Sequence, residues 1–238
     1  MTRAESGRPR AVVCLSGGMD SCVCAALAAR DYETYAVHFS YGQRTEAREL
    51  KSAEAMARIL GLREFLPLKI DLFRRIGGSA LTDHGIAVPA ASADESAIGS
   101  AIPVTYVPFR NAHFLSVAVS WAEAIGAGSI YIGAVAEDSS GYPDCRAQYY
   151  KVFQELIRVG TRPETEIEIL TPVIAMKKSE IIKKGVALGA PLKLTWSCYQ
   201  NADEACGVCD SCLLRLRAFK EAGMADPVAY RPSASVRA

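Results

Sequence analysis

Two glycines between serines, with an aspartate one residue on, are the residues of this chain best suited to holding an anion: Cys14-Leu15-Ser16-Gly17-Gly18-Met19-Asp20-Ser21. An apolar run, Ala11-Val12-Val13, precedes them, and a helix-like stretch, 21–29, follows. Strand, glycine turn and helix start together aim unpaired backbone N–H groups and a positive dipole end at one point. Glycine lets the backbone approach a phosphate and take positive φ without a Cβ clash. Ser16 and Ser21 add hydroxyl donors, and Asp20 can hold a metal ion beside the bound anion. The plainer alternative is an ordinary strand-to-helix turn capped by serine. The stretch has no lysine at the place a GxxxxGK[ST] loop requires, so it is not that nucleotide cradle.

A second constellation lies near the other end. Cys206, Cys209 and Cys212 follow one another at two-residue gaps, with Cys198 upstream. That spacing lets neighbouring thiolates point at one ion, and four thiolates around one ion make a closed structural zinc site. An iron–sulfur cluster and unliganded redox thiols are the alternatives. The ferredoxin pattern continues to a further Cys followed by Pro, which is absent here. Such a site would pin the last helix, 212–221, onto the sheet.

The elements that must position these groups can be read from periodicity. Buried strands are expected at 11–13, 34–39, 64–69, 129–133 and 167–170, and helices at 45–60, 111–125, 147–159, 178–188 and 212–221. Thr45 is a candidate cap, and Gly61 ends the helix it opens. Strands alternating with helices predict an α/β fold, a doubly wound, mostly parallel sheet with ligands beyond the C-terminal strand ends. Residues 71–105 are rich in Gly, Ala, Ser and Pro without sustained period. A loop that long is expected to act as a cover.

With 238 residues, half of them hydrophobic and 22% charged, the chain has material for one α/β domain and a small appendage. Lys and Arg (27) nearly balance Asp and Glu (26). Nothing in that balance suggests direct nucleic-acid binding, and a small-molecule substrate fits better. Residues 1–10 are polar and basic, and no apolar run is long enough for a membrane span. A cytoplasmic protein is expected, whose eight cysteines are reduced or metal-bound.

The SGGMDS string resembles the PP-loop of the N-type ATP pyrophosphatases. That resemblance implies a Rossmann-like domain that cleaves ATP between its α and β phosphates and passes AMP to a substrate oxygen. SGGMDS, YGQR, VPFRN, SGYPDCR, ILTPV, LTWSCY and CGVCDSC occur in that order, from Ala11 to Gly223. Taken together they resemble the 7-cyano-7-deazaguanine synthase (QueC) family. The resemblance implies a carbon–nitrogen ligase that turns 7-carboxy-7-deazaguanine, ammonia and ATP into the nitrile used for queuosine. It also implies Mg²⁺, one structural Zn²⁺ per chain, and a homodimer. Residues 10–190 would form the PP-loop domain, and 191–225 a zinc-binding segment packed on it as one unit.

Matched to that family's motifs, Ser16, Gly17, Gly18, Asp20 and Ser21 would bind the ATP phosphates and Mg²⁺. Cys14, Leu15, Met19, Cys22, Val23 and Cys24 would complete the nucleotide segment. Arg110, Lys178 and Arg44 are expected near phosphates or the substrate carboxylate, with surface ion pairing as their alternative. A guanine-like ring presents N–H donors, so Asp144, Glu137 or Asp138 would receive it, and Tyr142 would stack on it or pack within its own loop. Cys145 is read as structural. Cys198, Cys206, Cys209 and Cys212 are the metal ligands. One departure is Phe109, where family members usually carry Gly or Ala; its ring either narrows the substrate pocket or packs outward. The competing readings are an adenylating relative acting on tRNA or a protein, and a zinc-knuckle binding module without catalysis.

Overall fold

The computed structural model describes residues 7–89, 101–136 and 141–232. Five strands form one parallel sheet in the order β3-β2-β1-β4-β5: β1 (Arg10–Cys14), β2 (Glu33–Ser40), β3 (Glu64–Lys69), β4 (Ser129–Ile132) and β5 (Glu168–Leu170). In β1 Val12 lies opposite Tyr35 and Ile130, and Cys14 opposite Val37 and Ile132. Strand order reverses between β1 and β4, so a crevice opens beyond Cys14 and Ile132. Pro67 sits in β3, an edge strand, where its missing N–H leaves no ladder partner unsatisfied.

Alternation along the central strands divides the interior into two layers. Ala11 and Val13 pack on one side with α1 (Met19–Asp31), α2 (Glu46–Ile59), α6 (Lys178–Ala187) and α7 (Asp210–Ala222). Val12 and Cys14 pack on the other with α3 (Leu72–Ile76), α4 (Arg110–Ile125) and α5 (Ala147–Gly160). The expected strands and helices are present with ends shifted by a residue or two.

Two expectations change. The segment 71–105 is not uniformly irregular: Phe73, 2% exposed, plants the short helix α3 against the rings of Tyr41 and Phe114. The last helix does not lie on the sheet. Ala218 and Phe219 join α7 to Ile181 and Ile182 in the helical layer, so α6 is its main neighbour.

Candidate active site and four-cysteine knuckle

A cavity of about 290 Å³ occupies the crevice at the C-terminal ends of β1, β2 and β4. Its floor is the turn between β1 and α1. Gly17 there has φ +95°, and a Cβ on it would sit 2.5 Å from the backbone oxygen of Glu49, so only glycine fits. The two serines hold the turn's shape: Ser16 N–H donates to Ser21 Oγ (3.2 Å), Gly18 N–H to Ser16 Oγ (3.2 Å), and Ser21 Oγ to Gly18 O (3.0 Å). Helix α1 begins without a side-chain cap, so its first N–H groups face the crevice with no intrahelical partner. Gly133 permits this closeness. A Cβ at Gly133 would lie 2.6 Å from Ser21 N.

Asp20 Oδ2 accepts from Lys178 Nζ at 2.8 Å, while Asp20 Oδ1 is buried without a hydrogen-bond partner. An orphaned carboxylate oxygen beside an anion cradle fits a hard divalent cation such as Mg²⁺. Arg110, at the start of α4, sends one N–H to Tyr41 OH (2.9 Å) and lies near the faces of Tyr41 and Phe114. Its Nε is buried and unpartnered. A buried guanidinium with a free donor, lining a cavity, suits a carboxylate or phosphate oxygen.

The other sequence candidates separate. Cys14, Leu15 and Met19 line the cavity, whereas Cys22, Val23 and Cys24 are fully buried in the hydrophobic layer beneath it. Those three lie beyond the first turn, where α1 is buried nearly all round, so successive side chains about 100° apart all meet packed interior instead of the crevice. Arg44 lines the cavity, but its guanidinium donates to backbone oxygens of Ala80 (2.7 Å), Ile86 (2.7 Å) and Asp83 (3.4 Å). It fastens the loop after α3 over the crevice. Tyr142 does the same from the far wall, donating to Thr105 Oγ1 at 3.1 Å. Asp144 is buried outside the cavity lining and accepts the Asn111 N–H at 3.0 Å, capping α4 where Phe109 cannot. Phe109 points outward, 59% exposed, with φ +55°. Glu137, Asp138 and the part of the expected cover at 90–100 lie outside the described residues.

The Sγ atoms of Cys198, Cys206, Cys209 and Cys212 lie within 4.8 Å of one another. Cys206 and Cys212 are 3.8 Å apart, matching the about 3.8 Å edge of a tetrahedron with ~2.3 Å zinc–sulfur bonds. Backbone N–H groups of Gln200, Asn201 and Cys206 donate to Cys198 Sγ at 3.3–3.4 Å, and that of Cys209 donates to Cys206 Sγ. These donors stabilise thiolate charge, so the four thiols fit a resident metal. The scattered cysteines differ: burial pushes Cys14 and Cys22 up to about 12 and Cys145 up to about 11, leaving inert thiols.

The knuckle also touches the crevice. Trp196 N–H donates to Gly17 O (2.9 Å), and Thr45 Oγ1 shares its one proton between Glu49 Oε1 (2.7 Å) and Cys198 O (3.2 Å). Thr45 therefore stands at the start of α2 without capping it. Arg215 closes the arrangement. It is paired bidentately with Asp226 (2.7 and 3.0 Å) and donates to Thr195 Oγ1 (2.7 Å). The C-terminal strap runs past 225: Ala205 bridges Tyr230, and Tyr230 OH donates to Asp226. Glu49, Gly133, Trp196 and Arg215 were not singled out from the sequence. Glu49, Gly133 and Arg215 sit within elements read for packing, and Trp196 stood only within a quoted motif.

A parallel α/β sheet with an uncapped serine-glycine turn at its switch point, joined to a four-cysteine knuckle, defines a doubly wound α/β protein with a C-terminal group of cysteines fit to hold a metal. The family model described as "Queuosine biosynthesis protein QueC" matches residues 10–223, and the chain belongs to that family. It is 69% identical over 223 residues to the 7-cyano-7-deazaguanine synthase of Acidobacterium capsulatum, covering 94% of this chain and 97% of the relative. With that of Koribacter versatilis it shares 58% over 233 residues, covering 97% and 96%. Among solved structures, NMN synthetase from Francisella tularensis aligns with a TM-score of 0.47 and 13% identity, covering 95% of this chain and 90% of that one.

Proposed function

We propose that this protein is an ATP-dependent carbon–nitrogen ligase that converts 7-carboxy-7-deazaguanine and ammonia into 7-cyano-7-deazaguanine through an adenylated acid and an amide. The observation that carries the reading is the turn at the crevice floor, where Ser16, Gly18, Asp20 and Ser21 line the cavity and Asp20 Oδ1 is buried without a hydrogen-bond partner.

A carboxylate is a poor electrophile until one oxygen carries a good leaving group. Ser16, Gly17, Gly18 and Ser21 would hold the departing diphosphate through N–H and hydroxyl donors. Asp20 would hold Mg²⁺, which neutralises charge on that diphosphate when bound. Lys178, now on Asp20, would turn to phosphate oxygens once the cation takes its place. Arg110 would orient the substrate carboxylate from the opposite wall. Ammonia then displaces AMP to leave an amide. A second adenylation, of the amide oxygen, lets AMP leave again with loss of an N–H proton, giving the nitrile. Both activations use one turn, so the amide need not leave. Arg44 and Tyr142 keep the cover seated and water out, which protects the adenylate.

The four cysteines would hold one zinc ion, contributing folding energy. The protein would act in the cytoplasm as a homodimer on small molecules, without direct nucleic-acid binding. Its formal charge of +1 and unpaired thiols support the solvent and compartment parts of that reading.

The test is incubation with ATP, Mg²⁺, ammonium and the carboxy-deazaguanine. Nitrile with AMP is expected, and Asp20→Ala should reduce turnover about a thousandfold or more while keeping its zinc. AMP formed only with tRNA would favour an adenylating relative, and no AMP under any condition a binding module.

A further inference from the structure

The charges lining the cavity do not all suit a polyanion. Lys178 is paired with Asp20, Arg215 with Asp226, and Arg44 is committed to backbone carbonyls. Asp20 and Glu49 are the carboxylates among the described lining residues, and Glu49 has no ion-pair partner among them. Its oxygens accept only neutral donors, Thr45 Oγ1 at 2.7 Å and Gln43 Nε2 at 3.1 Å. Beside a turn built for phosphate, an anion with no ion-pair partner repels the nucleotide unless it serves something else.

We propose that Glu49 is the residue that receives ammonium in this cavity, takes its proton, and releases ammonia beside the activated carbonyl. This rests on the ligase reading above and deepens it. At neutral pH ammonia is almost wholly ammonium, a cation with no lone pair to attack with. A carboxylate fixed by two neutral donors keeps lone pairs on both oxygens for a small cation's N–H groups. The step balances: Glu49 carboxylate and ammonium become Glu49 carboxylic acid and ammonia. Ammonia then forms the C–N bond as the C–O bond to AMP breaks, and the proton on Glu49 leaves to solvent.

The surroundings assist. Desolvation raises the Glu49 pKa, and Glu46 on the same helix adds to it. The donors Thr45 and Gln43, and Arg110 across the cavity, oppose it; Tyr41 stands at the same wall. A carboxylate made more basic by burial is a better proton acceptor for ammonium than an exposed one. The Gln43-Thr45-Glu49 chain also fixes the group, since Gln43 is itself held by Tyr41 N–H and Phe39 O.

The test compares nucleophiles. Hydroxylamine is mostly the free base at neutral pH and needs no deprotonation, so it traps the adenylated acid directly as a hydroxamate. In Glu49→Gln the ratio of kcat/KM for ammonium to that for hydroxylamine should fall about tenfold or more, as loss of a charge-assisted hydrogen bond implies. A helix-packing role would lower both together. An unchanged ratio, whether both rates fall or neither does, overturns the proposal. If Glu49→Gln does not fold, Glu49→Asp keeps the anion but shortens its reach, and the ratio should still fall. Wild-type protein that forms no hydroxamate with ATP and the carboxy-deazaguanine removes the ligase reading itself. A normal wild-type trap with an unmoved ratio removes only Glu49.

Discussion

Phe109 has φ +55°, a region that costs a residue with a Cβ roughly 1–2 kcal/mol. Glycine has no such penalty there. Its greater freedom in the unfolded chain offsets about 0.5–1 kcal/mol of the gain. Phe109→Gly should therefore raise stability by up to about 1 kcal/mol in urea unfolding, and Phe109→Val should lower it, because a β-branched residue is worse still at positive φ. Equal loss from both would show that the ring's contacts outweigh the backbone strain. The glycine turn and the place of Asp20 on the crevice were legible because strand, glycine pair and helix start are local signals. Asp144 was not, since its carboxylate turns to the Asn111 N–H to supply the cap that Phe109 lacks. Spacing alone does not tell a cap from a ligand.

At the scale of elements, the knuckle and the turn behave as one. Trp196 holds Gly17, and Cys198 holds Thr45, so two motifs far apart in sequence share backbone contacts. Metal binding energy in such a knuckle is folding energy for the chain around it. Stripping the metal with a chelator should weaken ATP binding by about tenfold or more while the α/β circular dichroism persists. The fluorescence of Trp196, stacked under Arg48, should change in step. ATP affinity indifferent to metal would mean that the two motifs are uncoupled. Alternating strands and helices were legible because period and length agree in each. Helix α3 was not, because five residues are too few for a period and its one anchor, Phe73, looks like any other aromatic.

For the whole molecule, the last turns of chain are tied by one buried ion pair. Arg215 and Asp226 are 3% and 4% exposed, and Asp226 also accepts from Val228 N–H and Tyr230 OH. Removing one member of a buried pair typically costs 3–5 kcal/mol, because the other charge is stranded. Asp226→Ala should fall in that range, roughly, in chemical unfolding, whereas replacing both members with apolar residues should restore much of the loss. The overall α/β architecture followed from order and period. The wrap of the C-terminal strap did not, since a lone Arg and Asp eleven residues apart carry no signal of their meeting. The Arg44 clamp adds a different consequence. It grips main-chain oxygens, which every amino acid possesses, so the flap it secures can change composition over evolutionary time without coming loose. Divergence among relatives should gather in that flap, and the arginine that never inspects its side chains should be the part that stays.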